Sequence, residues 1–351
     1  MGSQLMKVAV VGAGVAGLAT AAWLIERDVA VTCYEARGAM SQRSAGISRI
    51  FRLAHGRVDL VELARRSRQL FDVWSEQVGR DLVRQCGVVV TGDINAWATA
   101  MASADVDYRI AEGSGDIARL RLPGRLIPGP YLVDPAGGVI DVLGVRDVLL
   151  ARAGPRIMRD TVYRIESNAA GGVTIGSAAG KEVYDACIIT AGAATSQLAS
   201  QVDLYTPSAL LHHLCATFRL RDPRQQPPCL IERHSPWRPG VSTYQHLAAP
   251  GLWAVGAHVD PADCAWERGR DLVTSFERRL LMEYVRENLD NVDADIVSEL
   301  SCNMASGWGD GFGVARTSNV VALYGDNLFK FAPVLGEILG GAVISGATFC
   351  P

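Results

Sequence analysis

The first forty residues change hydropathy period twice. "VAVV" (Val8–Val11) is apolar at every position, which suits a central parallel strand covered on both faces. "LATAAWLIER" then places apolar residues at helical spacing, and "AVTCYE" returns to a short apolar run ending at Glu35. Further along, "DLVELARRSRQLFDVWSEQVG" predicts a long amphipathic helix, and "CGVVVTG" a strand between turn signals. "YLVDPAGGVIDVLGVRDVLLARAG" predicts a loop and a helix. "VYRIESNAAGGVTIGS" with "KEVYDACIITAGA" predicts a meander feeding a buried strand. Strand-like runs "LHHLCATFRL" and "GLWAVGAHV" precede a charged helix, "GRDLVTSFERRLLMEYVREN". The last stretch reads as strand, glycine loop and helix, with Pro333 suited to the helix's first turn. "SQRSAGISRIFRLAHG" has little periodicity and reads as a loop.

These elements predict an α/β chain of two interleaved domains. A Rossmann-like parallel-sheet domain takes 1–80, 140–204 and 301–351; an antiparallel-sheet substrate domain takes 81–139 and 205–300. Between the first strand and helix lies "GAGVAG", a G-x-G-x-x-G. In that motif Gly12 permits the tight turn, Gly14 lets backbone approach a pyrophosphate, and Gly17 lets helix and strand pack closely. The helix N-terminus offers unpaired N–H groups and a partial positive charge to the phosphate. Glu35 stands where an acid accepts from ribose hydroxyls. Strand, glycines, helix, strand and acid in that order predict a dinucleotide site, without separating FAD from NAD(P). The small residues Thr190, Ala191 and Gly192 after a buried strand suit a second close approach to the dinucleotide.

Composition narrows the class. The 351 residues are 49% hydrophobic and 20% charged, enough for two sizeable cores, and a net charge of -3 gives no general pull toward nucleic acid or anionic lipid. Eight cysteines form no C-x-x-C pair, so a zinc or thioredoxin-type centre is not expected, and buried free thiols are. The start of the chain lacks the features of a secretory signal, and no run reads as a membrane span; a cytoplasmic protein without membrane or nucleic-acid partners is the expectation.

Taken together, these pieces resemble the D-amino-acid oxidase superfamily of FAD oxidoreductases, and within it the monomeric sarcosine oxidase group. The resemblance runs in order over nearly the whole chain. "SRIFRLAHG" is similar to the family's Arg-x-x-Arg loop, which implies Arg49 beside the isoalloxazine and Arg52 as one of two cations on a substrate carboxylate. "LFKFAPVLGEIL" implies Lys330 as the second. "SCNMASGWGDGFGVA" resembles the segment whose cysteine is bonded to the flavin, which implies covalent FAD through Cys302. "LWAVGAHVD" implies His258 in the substrate pocket. The chain departs from the family at Ala254, where the oxidases carry a lysine that promotes reaction with oxygen. It also departs at Ala45, where they carry a histidine, and in a glycine-rich loop at Asn327 and Leu328.

Read without the family, the spacing of Arg49 and Arg52 is that of two solvated arginines, whereas the strongly apolar flanks of Lys330 favour a functional lysine over a snorkelling one. Asp326 is open between a contact to the ribityl chain and a turn cap, and Trp253, Trp308 and Tyr244 between a pocket wall and ordinary core. The resemblance implies oxidation of the C–N bond of a carboxylate-bearing amine or amino acid, such as a secondary amine or a cyclic or aromatic amino acid, in a biosynthetic setting. Oxygen or another electron acceptor would complete the cycle. An NAD(P)H-dependent flavin monooxygenase shares the fingerprint but leaves the Cys302 segment unexplained. A non-redox FAD-binding protein is the third reading.

Overall fold

The computed structural model describes residues 5–124, 129–168, 171–306 and 310–345. The chain divides into two compact units, Met1–Ala45 with Gly144–Leu210 and Ala305–Pro351, and Gly46–Leu143 with Leu211–Met304. Elements are numbered along the chain, so the labels interleave between the units. The segment 46–80, expected with the nucleotide domain, falls in the second unit.

The first unit is built on a six-stranded sheet. It comprises β1 (Lys7–Val11), β2 (Ala30–Tyr34), β9 (Ile157–Met158), β13 (Ala186–Ile189), β19 (Gly311–Arg316) and β20 (Val320–Asp326). They lie in the order β19-β20-β13-β1-β2-β9, parallel throughout except for β19. β1 is buried from Val8 onward, the cause of its unbroken apolar run. Helix α1 (Val15–Ile25) is buried nearly all round. It packs against α9 (Ala332–Ile344) so closely that a Cβ on Gly336 would lie 2.7 Å from the Ala19 carbonyl, and one on Gly340 would enter the Trp23 ring. An antiparallel meander of β10 (Val162–Ser167), β11 (Val173–Ser177) and β12 (Gly180–Tyr184) adds Ile165, Val173 and Ile175 to the core beneath β1 and β13. Helix α6 (Thr195–Ala199) follows β13, and α5 (Val142–Ala153) straddles the boundary between units.

The second unit has an eight-stranded, mostly antiparallel sheet in the order β18-β14-β17-β16-β15-β5-β7-β6. Its strands are β5 (Val88–Thr91), β6 (Arg109–Ala111), β7 (Tyr131–Asp134), β14 (Leu210–Leu220), β15 (Cys229–Glu232), β16 (Ser242–Ala249), β17 (Leu252–His258) and β18 (Val292–Ala305). A second, three-stranded sheet joins β3 (Ser48–Phe51), β8 (Gly138–Asp141) and β4 (Val83–Gln85). The segment expected as a loop therefore contains a strand; four residues with Ser and Arg at two of them carry too little periodicity to announce it. Helices α2 (Val58–Val78), α3 (Asn95–Ser103), α4 (Ser114–Arg119), α7 (Pro261–Cys264) and α8 (Arg270–Asn288) complete the unit.

Alternation sorts the side chains of the three central strands. Leu214, Ala216, Phe218, Trp253, Val255 and Leu247 share a core with Leu280, Leu281, Tyr284 and Val285 of α8. The other face follows from the register, with Tyr244 opposite Gly256, His246 opposite Ala254, Ser242 opposite His258 and Cys215 opposite Gly256. It carries His213, Cys215, Ser242, Tyr244, His246 and His258. Among the described residues no helix is long and apolar enough to cross a membrane.

Candidate active site

In the first unit the G-x-G-x-x-G turn has the shape its glycines require. Gly12 has φ +105°, and a Cβ there would lie 2.5 Å from the Thr190 carbonyl oxygen. A Cβ on Gly17 would lie 1.9 Å from the Gly12 carbonyl oxygen and 2.6 Å from Thr190 Oγ1. Gly14 differs from both: its nearest neighbour would be Ser44 Oγ at 3.4 Å, so the backbone is open on that side. Gly14 is the N-cap of α1 and makes no side-chain cap bond; Val15 N–H donates to Ser44 Oγ at 3.0 Å. Glu35 Oε2 accepts from Ala13 N–H at 2.9 Å, and Oε1 accepts from the Arg37 and Gly38 N–H groups at 2.8 and 3.1 Å. These bonds tie the acid to the turn and leave carboxylate lone pairs for hydroxyl donors. Gly192 lies exposed just past the carboxyl end of β13, beside β1. An open N-cap glycine, a helix terminus and an acid at the end of β2 fit the pyrophosphate and ribose of a dinucleotide.

Two further sequence candidates of this unit have internal partners. Asp326 is buried and forms an ion pair with Arg43, whose Nη1 also donates to the Gly325 carbonyl at 3.1 Å. Lys330 is buried just before α9; its Nζ donates to Asp310 Oδ1 at 2.9 Å and to the Asn327 carbonyl at 3.2 Å. The ammonium is thus held by a carboxylate rather than extended into solvent.

In the second unit the polar sheet face gathers most of the remaining candidates. Arg49 on β3 donates from Nη1 to the Ser48 carbonyl at 2.8 Å, and Ser48 Oγ bonds His246 Nε2 at 2.8 Å. Burial, followed by the charges of Arg49 and Arg84, pushes the His246 pKa down to about 3, so its ring is neutral. Tyr244 OH lies 2.6 Å from His213 Nε2. The His213, Tyr244 and His258 rings sit with centroids 5.5–5.7 Å apart, and His213 and His258 are stacked at 10°. Burial raises the Tyr244 phenol well above its usual value, with Cys215 and Cys302 adding to the rise and Arg49 opposing it. Those effects make Arg49, Cys215 and Cys302 electrostatic neighbours of one phenol. Arg52 is buried elsewhere in the unit: its Nη1 donates to the Ala54 carbonyl and meets His55 Nδ1 at 2.9 Å, and its guanidinium lies 4.6 Å from the Trp97 ring centroid. Arg49 and Arg52, three residues apart, thus serve different surroundings. Trp253 is fully buried core, and Trp308 lies outside the described residues.

A family model described as FAD dependent oxidoreductase (DAO) matches residues 7–341. The chain belongs to this FAD-dependent oxidoreductase family. A search of curated proteins gives no match. Solved structures share the fold of this oxidoreductase. NikD, an unusual amino acid oxidase essential for nikkomycin biosynthesis, is 23% identical with a TM-score of 0.83, over 99% of this chain and 96% of that one. L-proline dehydrogenase from P. horikoshii is 16% identical with a TM-score of 0.77, over 99% and 96%. Glycine oxidase from Geobacillus kaustophilus is 16% identical with a TM-score of 0.74, over 98% and 96%.

Several residues of the oxidoreductase's two clusters escape sequence reasoning. Ser44 and Arg43 sit in a stretch whose Ser and Arg content reads as solvated loop, yet one bonds the first N–H of α1 and the other pairs with Asp326. His213 lies in a mostly apolar strand, and Glu277 in a helix rich in charged residues, so neither stands out. The signal that could have found His213 is its parity: two residues before Cys215, it falls on the same strand face.

Proposed function

We propose that the protein oxidises the C–N bond of a carboxylate-bearing amine or amino acid to an imine in a biosynthetic pathway. The observation that carries this reading is the polar face of the second unit's sheet, where Arg49, His258 and Cys302 gather around the Tyr244 phenol. A guanidinium and a neutral phenol beside a histidine suit a small anionic substrate bearing an amine. The names of the structural neighbours, an amino acid oxidase, a proline dehydrogenase and a glycine oxidase, point the same way. FAD, when bound, supplies the two-electron oxidant; the chain supplies binding, orientation and electrostatics.

On this reading the first unit is the Rossmann-like site for the nucleotide half of FAD, on Gly12, Gly14, Gly17 and Glu35, with Gly192 and Asp326 supporting it. Cys302 is the point of covalent attachment, and Arg49 the cation beside the isoalloxazine. Lys330 in the first unit and Arg52 in the second are each proposed as a cation for a carboxylate, and His258 lines the pocket of the second. The protein acts in the cytoplasm. The experiment is anaerobic mixing of the holoprotein with a panel of N-alkyl glycines, proline-like and aromatic amino acids. Bleaching of the flavin band by one class supports the reading; bleaching by NADPH alone would replace it with a monooxygenase.

Ala254 favours a second reading of the acceptor. The residue is 3% exposed and faces neutral His246 across the strand pair. A cation near the flavin lowers the barrier to superoxide formation, and Ala254 supplies none. With Ala254 neutral and Arg49 left to supply the charge, we propose that oxygen reoxidises the flavin more slowly than a quinone or dye does; reoxidation of the reduced protein at least as fast by air would contradict this.

A further inference from the structure

Behind Tyr244 lies a buried pair that nothing above uses. His213 Nδ1 faces Glu277 Oε1 at 3.6 Å, with the two side chains only 4% and 2% exposed. That separation is too long for a hydrogen bond. His213 Nδ1 and Glu277 Oε2 are both buried without a hydrogen-bond partner. A carboxylate and an imidazole so placed cost stability while unsatisfied, which a purely structural role does not explain. A positive charge on His213 would instead stand as an ion pair with Glu277 across that separation. The opposite ring nitrogen, Nε2, is already bonded to Tyr244 OH at 2.6 Å. Burial favours the protonated phenol, and with Tyr244 OH as the donor Nε2 is the acceptor. The neutral imidazole then carries its proton on Nδ1, toward Glu277.

We propose that Tyr244, His213 and Glu277 form a relay that removes the proton from the substrate's ammonium nitrogen before its C–N bond is oxidised. The inference rests on the amine-oxidation reading above. The ammonium N–H bond breaks as a new O–H bond forms on Tyr244. Tyr244's own proton passes to His213 Nε2, and the positive charge ends on His213 beside Glu277. No electrons leave the substrate in this step; it frees the amine lone pair on which oxidation depends. Tyr244 is the catalytic residue, and His213 and Glu277 position and charge it. The strand pairing supports the assignment: Tyr244 lies flat over Gly256, where a Cβ would sit 2.2 Å from the ring. The titratable and charged groups around the relay are His258 on β17, Cys215 on β14, Cys302 on β18 and Arg49 on β3, with Cys264 of α7 near Glu277.

The test is the anaerobic rate of flavin bleaching against pH, for wild type, His213→Gln, Glu277→Gln and Tyr244→Phe. Each is run with two N-substituted glycines. One carries an alkyl group; the other carries an electron-withdrawing group that leaves its amine neutral at the assay pH. With the alkyl substrate, His213→Gln and Tyr244→Phe should lose about 10²-fold and shift the pH limb alkaline, toward the amine's own ionisation. With the acidified substrate the loss should shrink to a few fold. Glu277→Gln should move the limb toward acid and lower the plateau, because the carboxylate facing His213 is gone. Equal losses on both substrates, or an unmoved limb in all three variants, would overturn the relay. If His213→Gln fails to fold, the Glu277→Gln limb decides alone. Wild type unbleached by any carboxylated amine would instead sink the reading beneath it.

Discussion

Gly14 and Gly17 stand three residues apart in the same motif, and the structure assigns them opposite sensitivities. A Cβ at position 17 meets the Gly12 carbonyl at 1.9 Å, so reaching even 3.0 Å forces α1 away from the turn by about 1.1 Å (3.0 − 1.9). The obstacle is backbone, which cannot rotate aside, and overpacking of this kind costs about 1–3 kcal/mol. A Cβ at position 14 meets only Ser44 Oγ at 3.4 Å, an ordinary contact, and the residue's φ of -70° and ψ of 178° suit any L-residue. The remaining cost of Gly14→Ala is the poorer N-cap, roughly 0.5–1 kcal/mol. What that methyl does occupy is the open side by which a pyrophosphate approaches. Losing one hydrogen bond to a charged group costs about 1.5–3 kcal/mol, or about 10- to 150-fold in FAD affinity. Urea denaturation of the apoprotein and a fluorescence titration with FAD separate the two effects. Gly17→Ala should lower both apoprotein stability and FAD affinity; Gly14→Ala should lower mainly affinity. Wild-type affinity in Gly14→Ala, or stability losses equal in the two variants, would refute the assignment of the phosphate to this turn.

Other outcomes follow from the second unit. Ala254→Lys should raise the rate of reoxidation by air at least about tenfold with little change in flavin reduction, read by double-mixing stopped flow; an unchanged rate contradicts the role given to that position. Cys302→Ser should release all yellow colour on acid denaturation, whereas wild type should keep it on the polypeptide; colour released equally from both removes the covalent bond. His246 has a folded-state pKa near 3, against 6.5 for an exposed histidine. A depressed histidine binds fewer protons folded than unfolded, so its contribution is complete above pH 6.5 and is lost as pH falls below it. Between pH 6 and 4 it should add about 1.4 kcal/mol per unit to the acid slope of apoprotein stability, and His246→Gln should flatten the slope by that amount. Parallel slopes in the two proteins would contradict the buried neutral ring.

The parts of the fold that repeat a simple period were readable in the sequence. β1, α1 and β2 follow from an apolar run, three glycines and an acid, because Gly12 and Gly17 answer contacts that no other residue survives while Gly14 leaves its side of the turn open. Helices α2 and α8 follow from their single apolar stripes, and α9 from Pro333 in its first turn. What escaped was decided by partners distant in sequence. β3 forms because Asp141 to Gly138 lies ready to pair with Ser48 to Phe51, not because those residues favour a strand. For the same reason residues 46–80 join the second unit, since their pairing partners and packing surfaces lie there. The relay is the extreme case: Tyr244, His213 and Glu277 come from β16, β14 and α8, and no spacing along the chain marks them as neighbours. The resemblance to sarcosine oxidases drew attention to Arg49, Cys302 and His258, but gave no sign that Arg52 stacks on Trp97 or that Lys330 pairs with Asp310.

The central claim is that this chain binds FAD and uses it on carboxylated amines. Anaerobic titration of the purified holoprotein tests it most directly, with the flavin band followed as an N-alkyl glycine or a cyclic amino acid is added. The account predicts full bleaching at one substrate class and none with NADPH. A protein that binds no FAD, or a bound flavin that stays oxidised with every carboxylated amine, would contradict it.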